Sequence, residues 1–122
     1  MTIVDSCGWI EVFTEGPLSD RYWKLLKDLE QVVTPTIILY EVYKIIKRER
    51  TEEDALLAIS LIKRTRVVPL TDTIALSAAD AGLKHGLPMA DAIVYATAME
   101  HNCDVVTEDR HFEGLDHVIF VR

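Results

Sequence analysis

Apolar residues fall in two alternating patterns along the chain. Short β-branched runs occur at Ile3-Val4, Val32-Val33, Val67-Val68-Pro69-Leu70, Val105-Val106-Thr107 and Val118–Val121. Runs this brief and this apolar predict strands buried on both faces, as in the middle of a parallel sheet. Between them apolar residues recur at helical spacing. Cys7–Phe13 reads as a helix with Ser6 as its N-cap, broken by Gly16-Pro17. Ser19 caps a second helix to about Gln31, carried by Tyr22, Leu25, Leu26 and Leu29. Pro35 suits the first turn of a third helix, with Thr34 as candidate cap, running through Ile38, Val42 and Ile46 to about Arg50. Thr51 and Asp54 resemble a capping box that opens a fourth helix through Leu56, Leu57, Ile59 and Ile62. Asp72 caps a fifth helix to Lys84, closed by Gly86, and Pro88 starts a sixth that ends near Asn102. Asp109–Leu115 is a turn or short helix. Strands alternating with helices predict a three-layer α/β/α domain over residues 1–122, with about five parallel strands.

Composition narrows the function. Apolar residues make up 49% and charged residues 27%, ordinary for a globular domain. No run reaches membrane-spanning length, and the N-terminus lacks a signal-peptide pattern, so a cytoplasmic protein is expected. Cys7 and Cys103 are too few for a disulfide framework or a zinc site and read as reduced thiols. A net charge of −7 argues against binding phosphates through bulk charge. Yet seven of the 13 basic residues lie between Lys44 and Arg66. They are either the solvated faces of two helices or, through Lys44, Lys47 and Arg48, a track for a phosphate backbone. The aromatic residues Trp9, Tyr22, Trp23, Tyr40 and Tyr43 are expected in the core, with room left for some of them to form a dimer patch. There is no G-x-G-x-x-G and no Walker-type loop to support nucleotide binding.

Four acids stand out against this background. Asp91 is the only charged residue from Leu87 to Met99, on a helix apolar nearly all round. An isolated buried carboxylate is costly. Its other explanation is a first-turn acid favoured by the helix dipole. Glu41 interrupts the stripe Ile38, Val42, Ile45, unless it sits at the stripe's border and reaches water. Asp5 and Asp109 each follow a strand, at the edge where open parallel sheets bind ligands. Either one can also be a helix N-cap. Asp72 follows the strand Val67–Leu70 and either joins the cluster or, as the favoured role, caps the next helix; Asp104 precedes its strand and belongs to the opposite edge. Together the four would repel, each close pair by about 4 kcal/mol at about 4 Å with an effective dielectric near 20. No buried basic partner is evident on the helices that carry them. A hard divalent cation removes the conflict, and Mg²⁺ or Mn²⁺ suits an all-carboxylate set better than zinc. Ser6 and Thr107 stand beside the first and last acids, as supporting hydroxyls or simply as cap and strand-end residues.

Thr2-Ile3-Val4-Asp5-Ser6, Leu39-Tyr40-Glu41-Val42, the stretch Met89–Ala98 around Asp91, and Val106-Thr107-Glu108-Asp109-Arg110-His111-Phe112 together resemble a PIN-domain protein. Length and order are similar to the VapC type, the toxin half of type II toxin–antitoxin pairs. The resemblance implies a PIN-like fold and a Mg²⁺- or Mn²⁺-dependent endoribonuclease. It places the family's acidic quartet on Asp5, Glu41, Asp91 and Asp109, with Thr107 and Ser6 in support. It also implies an RNA substrate, a homodimer, and a VapB-like antitoxin whose tail covers the acidic groove. Glu108 is given no role. Three rivals remain open: a PIN nuclease of RNA processing or repair with no antitoxin, a receiver-like domain phosphorylated on Asp5, and a non-catalytic interaction module whose acids are caps. The receiver reading lacks the paired acids at the first strand's end and the late lysine which that chemistry needs.

Overall fold

The computed structural model describes residues 1–122. The chain order is β1 (Thr2–Val4), α1 (Ser6–Phe13), α2 (Ser19–Leu25), a 3₁₀ turn (Leu29–Gln31), β2 (Val33–Pro35), α3 (Thr36–Glu49), α4 (Glu52–Ile62), β3 (Arg66–Val68), α5 (Asp72–His85), α6 (Met89–Glu100), β4 (Asp104–Thr107), a second 3₁₀ turn (Arg110–Phe112) and β5 (Val118–Phe120). All paired strands run parallel. β1, β4 and β5 form one sheet in the order β1-β4-β5, and β2 pairs with β3. A single bridge from Thr2 to Val32 joins the two pieces, giving the overall order β3-β2-β1-β4-β5. No helix is long and apolar enough to cross a membrane.

The strand order explains where a site can form. From β1 the chain builds outward through β2 and β3, then returns to the other side of β1 with β4 and β5. Connections therefore leave β1 and β4 in opposite directions and open a crevice beyond their carboxyl ends. Both strands are covered on both faces: Ile3 through Asp5 and Val105 through Thr107 are all buried. Successive strand residues point to opposite faces, so an unbroken buried run requires helices above and below. α6 packs against β1, β4, α3 and α5, while α1 packs against β4, α2 and α3.

Several element ends differ from expectation. Asp5, rather than Ser6, is the N-cap of α1; its carboxylate takes the Ser6 N–H at 2.8 Å. Thr71, rather than Asp72, caps α5 by accepting the Ile74 N–H at 3.2 Å. Pro35 itself stands at the N-cap of α3, and Thr34 lies buried in β2, its hydroxyl 2.7 Å from that of Thr65. In each case the residue one position from the expected cap has the extended backbone a cap needs. α2 stops at Leu25 instead of running to Gln31, because Asp28 caps a separate 3₁₀ turn through the Glu30 N–H. Thr51 does cap α4, taking the Asp54 N–H at 3.0 Å, and Gly86 closes α5 at φ +68°. Pro69 falls just beyond β3, which is an edge strand. Trp9 and Tyr22 are core residues as expected, but Trp23 and Tyr40 are exposed.

One glycine is dictated by packing. The Tyr22 ring lies against the bare Cα of Gly8, and a Cβ there would collide with Tyr22 and with Val4. Both neighbours are fully buried and have little room to move. Gly8→Ala should therefore lower stability by about 1–3 kcal/mol despite alanine's better helix propensity. Urea unfolding should show a reduced midpoint at unchanged slope.

Candidate metal centre

Asp5 is delivered by β1 and fixed from three directions. Its backbone N–H donates to the Val106 carbonyl at 3.0 Å, continuing the β1–β4 ladder by one residue. One carboxylate oxygen accepts the Ser6 N–H at the positive end of α1. The other accepts the Thr107 hydroxyl at 2.9 Å. Burial pushes its carboxyl above the ordinary range, although the Thr107 and Ser6 hydrogen bonds pull it back. Thr107 serves two acids at once, because its Oγ1 also accepts the Asp109 N–H at 2.9 Å. Asp109 in turn caps the turn Arg110–Phe112 by accepting the His111 N–H at 2.9 Å. The fully buried Phe112 anchors that turn in the core.

The helical acids come from two further elements. Asp91 occupies the first turn of α6, where the dipole favours it, and its side chain is 13% exposed. Burial raises its carboxyl to about 6; the charges of Asp109 and Asp5 add to this, and a hydrogen bond from His111 opposes it. Glu41 projects from α3. Burial raises it to about 7, with repulsion from Asp5, Asp91 and Asp109, against which Ser6 offers a hydrogen bond. The structure thus brings Asp5, Glu41, Asp91 and Asp109 to one edge of the sheet, where Asp109 acts on the other three and Glu41 feels all of them.

Their spacing is uneven. The tight group is Asp91, Asp109 and His111, whose ligand atoms lie within 4.8 Å of one another. Asp5 and Glu41 flank this trio. The donor set suits a small divalent ion: several carboxylate oxygens, three of whose groups are raised in proton affinity first by burial and then by one another's charge. His111 escaped the sequence reading, which found no basic partner. Its Nδ1 is 2.9 Å from Asp91 Oδ2 and 3.1 Å from Asp109 Oδ1. The available signal was its position two residues after Asp109, which only a tight turn brings alongside. Cys7 and Tyr22 were missed too. The Cys7 Sγ lies 3.4 Å from Thr107 Oγ1 and 3.8 Å from Asp5 Oδ2, and burial beside Asp5 pushes the thiol up to about 12. It is therefore a protonated packing group at the back of the site. The Tyr22 hydroxyl donates to Glu108 at 3.3 Å, turning Glu108 away from the four acids.

The basic residues occupy the adjoining surface. Tyr40, Glu41, Lys44, Ile45 and Arg48 line a groove of about 180 Å³ that begins at the acidic edge. Lys44 stands over the exposed Tyr40 ring. Lys47 is turned toward Tyr43 and Glu52, its Nζ 3.4 Å from the Glu52 carboxylate, and Arg48 reaches Glu49 at 3.3 Å.

The family model for the PIN domain matches residues 2–118. A chain of a toxin–antitoxin complex from Klebsiella pneumoniae superposes with a TM-score of 0.82 at 20% identity, over 98% of this chain and 96% of that one. VapC20 of Mycobacterium tuberculosis, a toxin that cleaves the sarcin-ricin loop, gives 0.74 at 18% identity over 93% and 92%. FitAcB from Neisseria gonorrhoeae gives 0.74 at 22% identity over 98% and 96%. No curated protein matches the sequence.

The raised acids fix a pH dependence. The folded carboxyls of Asp5, Glu41 and Asp91 give up their protons at higher pH than the same groups in the unfolded chain, chiefly because they are buried. The resulting stabilisation is complete below the ordinary carboxylate range and is lost as pH rises toward about 7, where Glu41 ionises. His111, raised chiefly by the Asp109 charge and by its hydrogen bond with Asp91, contributes with the same sign. Metal-free protein should melt on the order of 5 °C lower at pH 8 than at pH 5, with Asp91→Asn flattening the curve. A melting temperature that climbs across this interval would contradict the assignment.

Proposed function

This chain belongs to the PIN-domain family, and from that premise we propose that it is a divalent-metal-dependent endoribonuclease, the toxin half of a toxin–antitoxin pair. The observation that carries the reading is the convergence of Asp5, Glu41, Asp91 and Asp109 from β1, α3, α6 and the end of β4, with three of them held above their ordinary proton affinity. A Mg²⁺ or Mn²⁺ ion bound there would lower the pKa of an attacking water and neutralise charge on the scissile phosphate.

The residues divide the remaining work. Asp91 and Asp109, whose carboxylate oxygens lie within 4.8 Å of each other, would hold the ion. Asp5, locked by Thr107 and Ser6, supplies a carboxylate that does not move. Glu41, raised to about 7, is placed to take a proton from the attacking water at neutral pH. Lys44 and Arg48, which line the groove, would meet the phosphates flanking the cut, whereas Lys47, expected in the same track, is paired with Glu52 outside it. This arrangement answers the net charge of −7: the ion and the local basic groove, not bulk charge, receive the RNA.

The partner reading is supported by the surface and by the similarity to a chain of a toxin–antitoxin complex. A VapB-like antitoxin covering the acidic edge would keep the nuclease silent. A second copy of the chain fits the apolar hollow of about 500 Å³ between α5 and α6, lined by Leu70, Leu87, Met89 and Ile93. Leu76, Leu83 and Met89 project from the same helices and are more than two-thirds exposed, an apolar surface that a homodimer would cover.

Cleavage of defined single-stranded and hairpin RNAs tests the proposal. Chelation with EDTA, Asp5→Ala and Asp91→Asn should each reduce the rate at least about 100-fold, and Thr107→Val about 10- to 100-fold through loss of the anchor on Asp5. An Asp91→Asn protein that cuts RNA as fast as wild type would end the nuclease reading.

A further inference from the structure

The acids are not the whole donor set. His111 Nδ1 stands 2.9 Å from Asp91 Oδ2 and 3.1 Å from Asp109 Oδ1. Adjacent ligands on an octahedral ion with bonds of about 2.1 Å are about 3.0 Å apart, and opposite ones about 4.2 Å. The observed imidazole–carboxylate spacings match two edges of such a shell, and the three donor atoms fall within 4.8 Å of one another. The ring is not merely a mobile surface group that has drifted in. The His111 N–H is bonded to Asp109 Oδ1, the Asp109 N–H to Thr107, and the next residue is the fully buried Phe112. The backbone is tied on both sides of the imidazole.

We infer that His111 is itself a ligand of the metal, through Nδ1, so that the centre is a mixed nitrogen–oxygen site and takes Mn²⁺ or Co²⁺ in preference to Mg²⁺. The inference rests on the nuclease reading above and sharpens it. Imidazole is a borderline donor that strengthens binding along the first-row series, whereas Mg²⁺ gains little from exchanging an oxygen for a nitrogen. An all-carboxylate centre would discriminate far less between the two. Without the ion Nδ1 uses its proton for hydrogen bonds to the Asp109 and Asp91 carboxylates; on binding, that proton leaves to solvent and the ion takes its place between the same three atoms, so affinity rises with pH. His111 is 56% exposed as a side chain, so replacing it should leave the fold intact.

The test is direct binding to the full chain, with no RNA present. Affinities for Mn²⁺, Co²⁺ and Mg²⁺ are measured by calorimetry on wild type, His111→Ala and Asp91→Asn, with circular dichroism to verify folding. Wild type should bind Mn²⁺ at least about tenfold more tightly than Mg²⁺. His111→Ala should lose about tenfold or more for Mn²⁺ and Co²⁺ while its Mg²⁺ affinity stays within about twofold. Pulsed EPR of the Mn²⁺ protein should show a directly coupled imidazole nitrogen that is missing in His111→Ala. An unchanged Mn²⁺-to-Mg²⁺ ratio in His111→Ala, or no nitrogen coupling in wild type, overturns this inference and leaves the acidic centre standing. Wild type that binds no divalent ion overturns both.

Discussion

Repulsion among carboxylates is the constraint on which the rest of this structure turns. Asp5, Glu41, Asp91 and Asp109 are drawn from four elements to one edge, and burial alone would favour neutralising the first three. The fold opposes that tendency only in part. Thr107 and the first turn of α1 stabilise the charge on Asp5, and His111 does the same for Asp91. Nothing of the kind fully relieves Glu41, whose proton affinity stays near neutrality. A cation bound at this edge, as proposed, would relieve the charge that these contacts leave in place.

The sheet makes the arrangement rigid. β1 and β4 are adjacent and buried on both faces, so the ends that carry Asp5 and Thr107 cannot shift without opening the core. The polar line Asp5–Thr107–Asp109–His111–Asp91 then links β1, β4 and α6 through hydrogen bonds near 2.9 Å. Glu41 reaches the edge from α3, the same helix that presents Tyr40, Lys44 and Arg48 to the adjoining groove. One helix therefore joins the acidic centre to the surface that would carry a polyanion.

Much of this was legible in the sequence because the strong signals were also the physically costly ones. Asp91 shows itself as the one charge on an otherwise apolar helix, and β-branched runs followed by acids mark Asp5 and Asp109 at strand ends. Gly86 and Thr51 act where their chemistry predicts. What stayed hidden depends on geometry over a few residues. Whether Asp5 or Ser6 caps α1 is decided by a single ψ angle, since either side chain is competent. The break at Leu25 arises from Asp28 bonding the Glu30 N–H, a local alternative that competes with helix continuation. His111 meets Asp91 only because a 3₁₀ turn and the placement of α6 bring together residues 20 apart. Tyr40 and Trp23 were assigned to the core by type, but they lie on the outward sides of α3 and α2. Composition gives no orientation to an aromatic ring.

The account stands or falls on whether a divalent ion sits among these particular side chains. Crystals grown with Mn²⁺, with anomalous data collected at the manganese edge, measure that directly. A manganese peak is expected at about 2.0–2.2 Å from oxygens of Asp91 and Asp109, with the Asp5 and Glu41 carboxylates turned toward it or its waters. A fully ordered acidic edge with no anomalous peak, or manganese bound only elsewhere on the molecule, would contradict it.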